Sequence, residues 1–318
     1  MTLRLGTRAS ALALAQANSV AADLTALTGR QVELVEISTS GDTSTEPLDR
    51  IGGTGVFVSA LREALLDARI DFAVHSMKDL PTADAPGLVI AAVPPRQDPR
   101  DVLVTSDGRT LGELRPGERI GTGSPRRVAQ LHALGFGLDV VGVRGNVDTR
   151  LRKVAEGALA GVVLARAGLA RLGRLPEISE VLDPLLMLPA PGQGALAVEC
   201  RAPDTDAAAA ELCALLAGLN DPDSRAVVAA ERALLAALEA GCTAPVGALG
   251  EAITGDEEYE DEFYLRAIAL SPDGSASVKL SITGPLADAE ALGRKLAGEM
   301  LSEGATDLMQ DGSWEHNE

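Results

Sequence analysis

The chain has almost no aromatic residues. Phe, Trp and Tyr make up 2% of its 318 residues, so its cores must be built from Ala, Val, Leu and Ile. Cysteine is nearly as scarce. Cys200, Cys213 and Cys242 are odd in number and form no CxxC pair, which excludes a disulfide framework and a paired-cysteine zinc site. His75, His132 and His316 stand far apart, in no metal-binding spacing. Positive charge is short as well: 28 Lys and Arg face 46 Asp and Glu, for a net charge of −18. That balance argues against nucleic acid, whose phosphates need a basic face, and against an anionic membrane surface. No run of roughly 18 apolar residues is free of charge or glycine, so no membrane span is expected. Met1–Gly6 opens straight into an apolar strand without a signal-peptide pattern. Together these absences predict a soluble, cytoplasmic protein.

What is present is strand–helix alternation. At 318 residues, with about 100–200 residues per domain, two or three domains are expected. Leu3–Gly6 reads as a strand and Ser10–Leu27 as a helix stopped by Gly29. Val32–Ile37 is a strand, and the polar, glycine-rich Ser38–Gly55 reads as a loop or lid. Val56–Ala68 reads as a helix, Asp71–His75 and Leu88–Val93 as strands. After Pro94, Pro95 and Pro99 the alternation restarts. Strands are predicted at Val102–Thr105, Ile120–Thr122, Val140–Val143 and Val162–Leu164, and helices at Arg126–Leu134, Val147–Glu156 and Ala167–Leu172. Such alternation predicts parallel sheets with crossover helices.

Leu188–Gly194 (LPAPGQG) is a second Pro/Gly-rich crossing, followed by a strand at Ala195–Cys200 and a helix at Ala207–Leu216. Two crossings around one α/β unit predict an inserted domain, which the chain enters near Pro94 and leaves near Gly192. Ligands would then lie in a cleft between two α/β lobes. From Asp221 the pattern changes. A helix at Asp223–Leu238 has Asp221 as its N-cap, Pro222 at its first position and Gly241 at its end. Strands at Val246–Gly250, Phe263–Leu270 and Ser277–Ile282 and a helix at Leu286–Leu301 complete a small α+β third domain. Asp256–Glu262 would cover a hairpin turn, and the chain beyond Gly304 reads as a frayed tail. The expected division is 1–94 with 195–217, then 98–190, then 220–306, with 307–318 as tail.

Arginine gathers between Arg96 and Arg174, inside an otherwise acidic protein. That fits a local anion site, and equally helix faces that are simply solvated. Gly121–Arg127 (GTGSPRR) follows a strand and opens a helix, where free N–H groups and the dipole favour anions. Thr122, Ser124, Arg126 and Arg127 could serve a carboxylate or phosphate there; a tight turn with two solvated arginines fits as well. The turn lacks the Lys-Ser/Thr of a P-loop, which disfavours nucleoside triphosphates. Arg144–Arg150 (RGNVDTR) repeats the form, and Arg8 and Ser10 occupy the turn after the first strand. Each charge-assisted hydrogen bond contributes about 1.5–3 kcal/mol, so several would hold a polycarboxylate firmly. His75-Ser76-Met77-Lys78-Asp79 places Lys78 and Asp79 past a strand end. Spacing alone favours a surface ion pair; among cleft cations the Asp could instead stabilise a developing cation. Cys200 and Cys213 sit in apolar settings. Cys242, in a turn after a helix, is the accessible thiol, inert unless activated.

In combination these segments resemble the porphobilinogen deaminase (hydroxymethylbilane synthase) family. The matching stretches include LGTRASALA (Leu5–Ala13), DFAVHSMKDLP (Asp71–Pro81), GTGSPRR, RGNVDTR, LPAPGQGALAVEC (Leu188–Cys200) and GCTAPVG (Gly241–Gly247). The resemblance implies an α/β fold with two periplasmic-binding-protein-like lobes of parallel-rich sheets plus a small α+β third domain. It implies a dipyrromethane cofactor held by a thioether to Cys242 and built from the substrate, porphobilinogen. Four porphobilinogens are joined with loss of ammonia, and the linear hydroxymethylbilane passes to a downstream enzyme of haem and porphyrin biosynthesis. By this resemblance Asp79 is the catalytic carboxylate. Arg8, Arg126, Arg127, Arg144, Arg150 and Arg171 hold acetate and propionate groups, with Ser10, Ser76, Lys78, Thr122, Ser124 and Gln193 adding contacts and Phe57 stacking on a pyrrole. No metal is implied, and the protein is expected to act as a monomer. The family often has Lys where Thr54 and Ser59 stand here, and Pro125 replaces an aliphatic residue. The competing reading is a non-catalytic two-lobe polycarboxylate-binding protein, which would have no use for a thioether at Cys242.

Overall fold

The computed structural model describes residues 2–37, 58–240, 244–253, 255 and 261–310. Phe57, Cys242, Gly241, the Ser38–Gly55 segment, residues 256–260, Trp314 and His316 lie outside them. The chain divides into two units, Met1–Gln97 with Ala195–Arg225 and Asp98–Gly194 with Ala226–Glu318.

In the first unit, β1 (Leu3–Thr7) leads into α1 (Ala11–Thr28). Ser10 caps α1 by accepting the Ala13 N–H, and Gly29 ends it in the left-handed region. β2 (Val32–Glu36), α2 (Ser59–Leu66), β3 (Phe72–Ser76) and β4 (Leu88–Ala92) follow, and the returning chain adds β10 (Leu196–Arg201) and α6 (Ala207–Leu216). The sheet order is β2-β1-β3-β10-β4. Alternating Leu3 and Leu5 on β1, Phe72 and Val74 on β3, and Val198 and Cys200 on β10 pack with Val20 and Leu24 of α1. Each fully buried Leu or Phe contributes about 1.5–3 kcal/mol.

The second unit contains β5 (Asp101–Thr105), β6 (Arg119–Thr122), α3 (Pro125–Ala133), β7 (Asp139–Gly142), α4 (Val147–Ala155), β8 (Gly161–Ala165), α5 (Arg166–Arg171) and β9 (Glu180–Val181), with sheet order β7-β6-β8-β5-β9. Its C-terminal part holds α7 (Pro222–Ala237, whose first residues fall in the first unit), the antiparallel strands β11 (Val246–Ile253), β12 (Glu262–Leu270) and β13 (Ser277–Pro285), and helices α8 (Ala289–Ser302) and α9 (Ala305–Gln310). On β12, Phe263, Leu265, Ala267 and Ala269 point inward with period two, onto Leu234 and Leu296. This part is seated on α3: a Cβ at Gly274 would lie 2.3 Å from the Ala129 carbonyl oxygen.

Three expectations are corrected. Parallel pairing holds for β2-β1-β3 and β7-β6-β8, but β10 and β5 pair antiparallel with both of their neighbours. These are the strands adjoining the two crossings, where no crossover helix sets direction. The end of α7 is turned by Glu239, at φ 52, before Gly241 is reached. The chain beyond Gly304 is helical to Gln310, because Ala305 is fully buried and Met309 packs on the C-terminal core.

Candidate functional site

Parallel pairing puts the carboxyl ends of β6, β7 and β8 on one edge of their sheet. Each leads into a helix, β8 directly and the other two through a turn, and arginine stands at each junction. At the β6–α3 turn, Ser124 occupies the N-cap and Pro125 the first helical position, where a missing N–H costs nothing. At the β7–α4 turn, Asn146 caps α4 through the Thr149 N–H at 2.9 Å. The two turns touch, since a Cβ on Gly123 would come within 2.8 Å of the Val143 carbonyl oxygen and 3.6 Å of Arg150 Nη2. The absent side chain therefore lets the two turns pack closely beside the Arg150 guanidinium.

Arg150 donates its Nε–H to the Gly145 carbonyl at 2.9 Å, and Arg171 donates to the Gly194 carbonyl at 2.7 Å. No ion pair joins either to a carboxylate among the described residues. Burial, and for Arg150 also the neighbouring Arg127 charge, pushes Arg150 down to about 10; burial alone does the same to Arg171. Both stay charged at neutral pH, as cations short of an anion. Arg144 is exposed, and Arg8 and Ser124 are half-buried.

Arg126, Arg127, Thr122 and Gln193, read from sequence as ligand contacts, are buried and bound to the protein's own groups. Asp101, 0% exposed, accepts from Arg126 Nη2 at 2.7 Å, Arg127 Nη2 at 2.7 Å and Gln193 Nε2 at 2.8 Å. Arg127 also donates to the Val163 carbonyl at 3.0 Å, and Arg126 to that of Leu188. The Thr122 hydroxyl oxygen accepts the Ser124 N–H at 3.3 Å. Burial alone would raise the Asp101 carboxyl, but the two guanidinium charges overcome it and hold it well below the usual carboxylate range. Sequence reasoning missed Asp101. It closes a stretch that resembles the family, DPRD (Asp98–Asp101), but opens the apolar strand DVLVT with nothing local to mark it as an ion-pair partner.

In the first unit, β1 and β3 pair in parallel, so their carboxyl ends also share an edge. Arg8 and Ser10 follow β1. Ser76 ends β3, and Met77–Asp79 form a single 3-10 turn anchored by buried Met77 and closed by the Leu80 N–H on the Met77 carbonyl at 3.1 Å. Asp79 is exposed and Lys78 half-buried. The Ser10 oxygen is committed to capping α1, which leaves its hydroxyl proton to donate. Behind this turn lies a second buried carboxylate that sequence reasoning missed, Glu199. Its carboxylate accepts from Arg62 Nη2 at 2.8 Å. His75 Nε2 lies 3.1 Å from Glu199 Oε2 without hydrogen-bond alignment, an ionic contact only when the imidazole is protonated. Among the described residues, no group of His, Cys, Asp and Glu could hold a metal ion, and no helix is long and apolar enough to cross a membrane.

An α/β protein whose strand-to-helix junctions carry arginine has the makings of an anion-binding site. Known proteins narrow the class. The model of the porphobilinogen deaminase dipyromethane cofactor binding domain matches residues 3–209, and that of the porphobilinogen deaminase C-terminal domain matches residues 226–302. Porphobilinogen deaminase 1 of Streptomyces coelicolor is 56% identical over 315 residues, covering 96% of this chain and 97% of its own. Porphobilinogen deaminase of Mycobacterium marinum is 54% identical over 310 residues, covering 96% of each chain. The chain belongs to the porphobilinogen deaminase family. Among solved structures, the methionine binding protein MetQ aligns with 69% of this chain and 89% of its own at a TM-score of 0.44 and 15% identity, too distant to bear on ligand.

The residues present fit the family's cofactor, a dipyrromethane bearing carboxylate side chains. Buried Arg126 Nε and Arg127 Nε have no acceptor among the described residues. A buried, unsatisfied donor costs about 1–3 kcal/mol, which a ligand carboxylate would recover. Arg150 and Arg171, with no ion-pairing carboxylate among the described residues, point to the same requirement.

Proposed function

We propose that this protein joins four porphobilinogen molecules head to tail on a dipyrromethane carried as a thioether by Cys242, releasing four ammonia molecules, and that one water then frees the chain from the cofactor as hydroxymethylbilane. The observation that carries the reading is the pair Arg150 and Arg171, half-buried, each donating to a backbone carbonyl and joined to no carboxylate among the described residues, in a chain that both porphobilinogen deaminase domain models match. When bound, the dipyrromethane supplies the nucleophilic pyrrole carbon from which the product grows.

The protein's own residues do the rest. Arg144, Arg150 and Arg171 bind acetate and propionate groups on the second unit, with Ser124 donating from its hydroxyl. Arg126 and Arg127, tied to Asp101, add positive field and offer their unpaired Nε–H groups. Thr122 and Gln193 shape the turns that hold these arginines. On the first unit, Arg8, Ser10, Ser76 and Lys78 hold substrate carboxylates near Asp79. As ammonia leaves porphobilinogen its methylene carbon becomes cationic, and the Asp79 carboxylate stabilises that charge. At 4 Å and an effective dielectric of 20 such a pair is worth about 4 kcal/mol, enough to govern a rate. Asp79 also takes up protons released from pyrrole positions. Phe57 stacks on a pyrrole ring. The protein acts as a cytoplasmic monomer and hands its product to a downstream tetrapyrrole enzyme.

Intact-protein mass spectrometry tests the reading. Protein from cells that make porphobilinogen is expected to carry the added mass of two pyrrole units, absent from Cys242→Ser. Unmodified wild-type protein from such cells would reject it.

A further inference from the structure

Apart from Gln193 and the Gly194 carbonyl, the LPAPGQG segment, Leu188–Gly194, takes no part in the proposed chemistry, yet its backbone is tied on both sides. The Leu188 N–H donates to Gln130 Oε1 at 2.7 Å, and its carbonyl accepts from Gln130 Nε2 at 3.0 Å. Gln193 Nε2 reaches Asp101 and also the Pro99 carbonyl at 2.6 Å. These bonds fasten the segment to the Asp101–Arg126–Arg127 cluster. On its other side the Pro189 carbonyl accepts the Ala248 N–H of β11 at 2.9 Å, and a Cβ on Gly247 would lie 2.9 Å from that of Leu188.

Glu231 of α7 closes the arrangement. It is 0% exposed. Its Oε2 accepts the Gly192 N–H at 2.6 Å and its Oε1 the Gly250 N–H of β11 at 2.8 Å. Gly192, at φ 73, holds a left-handed conformation that aims its N–H at the carboxylate. Burying a carboxylate is expensive, and a leucine would fill the same volume at lower cost. What the carboxylate adds is two charge-assisted bonds from separate oxygens to backbone far apart in sequence, which set a fixed register. α7 ends at Ala237 and β11 begins at Val246, so both elements bracketing Cys242 are gripped by one side chain.

We propose that Glu231 is a positioning residue. It keeps α7 and β11, the two elements that bracket Cys242, in register with the arginine cluster while the cofactor is assembled. The inference rests on Cys242 being the attachment point.

The test uses full-length apoprotein from cells unable to make porphobilinogen, given porphobilinogen and followed by intact mass. In Glu231→Gln one oxygen becomes an amide NH2, which cannot accept, so one glycine N–H loses its acceptor. At a melting temperature within a few degrees of wild type, we expect at least tenfold slower gain of the two-pyrrole mass. Faster amide exchange in the peptides around Gly192 or Gly250 should accompany it. Glu231→Asp, which keeps both oxygens on a shorter stem, should recover part of the rate; it is read alone if Glu231→Gln does not fold. Faster exchange with a wild-type rate of assembly overturns the proposal. Wild-type protein that never gains mass rejects the Cys242 reading instead, and does so without reference to any variant.

Discussion

Asp101 and Arg126 meet at 2.7 Å with 0% and 3% of their surfaces exposed, and Arg127 closes on the other oxygen of the same carboxylate. One buried anion thus holds two buried cations at the head of α3, and removing it leaves both uncompensated. Asp101→Ala should destabilise the protein by about 3–5 kcal/mol, the cost of breaking a buried ion pair. Urea denaturation measures this, and a loss under 1 kcal/mol would show that the cluster relaxes or hydrates.

Arg150 and Arg171 should behave in the opposite way. Neither forms an ion pair among the described residues, and burial depresses both. Arg150→Gln and Arg171→Gln should each leave stability within about 1 kcal/mol of wild type while weakening ligand by about 1.5–3 kcal/mol, the worth of a charge-assisted hydrogen bond. The readouts are urea midpoints and KM for porphobilinogen. Unchanged KM in both variants would remove the observation on which the proposed function rests.

Asp79 stands exposed on a turn held by Met77. Asp79→Ala should therefore fold as wild type and keep any adduct already formed, but lose turnover by several orders of magnitude. Full turnover in this variant would reject its assignment as the charge-stabilising group.

Acid should act first through the buried carboxylates. Burial raises Glu199, but His75 and then Arg62 outweigh it and hold its folded value below the ordinary one. A lowered folded value means that the unfolded chain binds the proton more readily. The stability from Glu199 is therefore complete above the ordinary glutamate range and is lost as pH falls below it through the lowered folded value. Stability measured from pH 6 to 3 should fall less steeply in Glu199→Gln than in wild type. Parallel curves would show that the carboxylate has no shift between the two states.

Thiol chemistry should separate the cysteines. Burial, reinforced by Cys213, pushes Cys200 up to about 12, so its thiolate is nearly absent at neutral pH. Iodoacetamide at pH 7.5 should leave Cys200 unmodified in native protein, as peptide mass mapping would reveal.

The local elements were legible in the sequence because their causes are local. Ser10 and Gly29 bound α1, Asp221 and Pro222 open α7, and period-two apolar residues mark β12; each acts within a few residues of itself. The arginine-bearing turns were legible for the same reason, and the family's motifs marked Asp79 and Cys242. Tertiary structure decided which arginines face inward. Arg126 and Arg127 read alike with Arg144 and Arg150 as strand-end cations, yet the first pair lies within reach of Asp101 and is buried on it, while Arg150 donates to a backbone carbonyl and meets no carboxylate among the described residues. Asp101 and Glu199 lie inside family motifs, DPRD and LPAPGQGALAVEC, but nothing local marks them as buried ion-pair partners, and Glu231 lies in no motif. Their partners come from distant parts of the chain, and the penalty for burying a charge makes that pairing decisive only once the fold has excluded water.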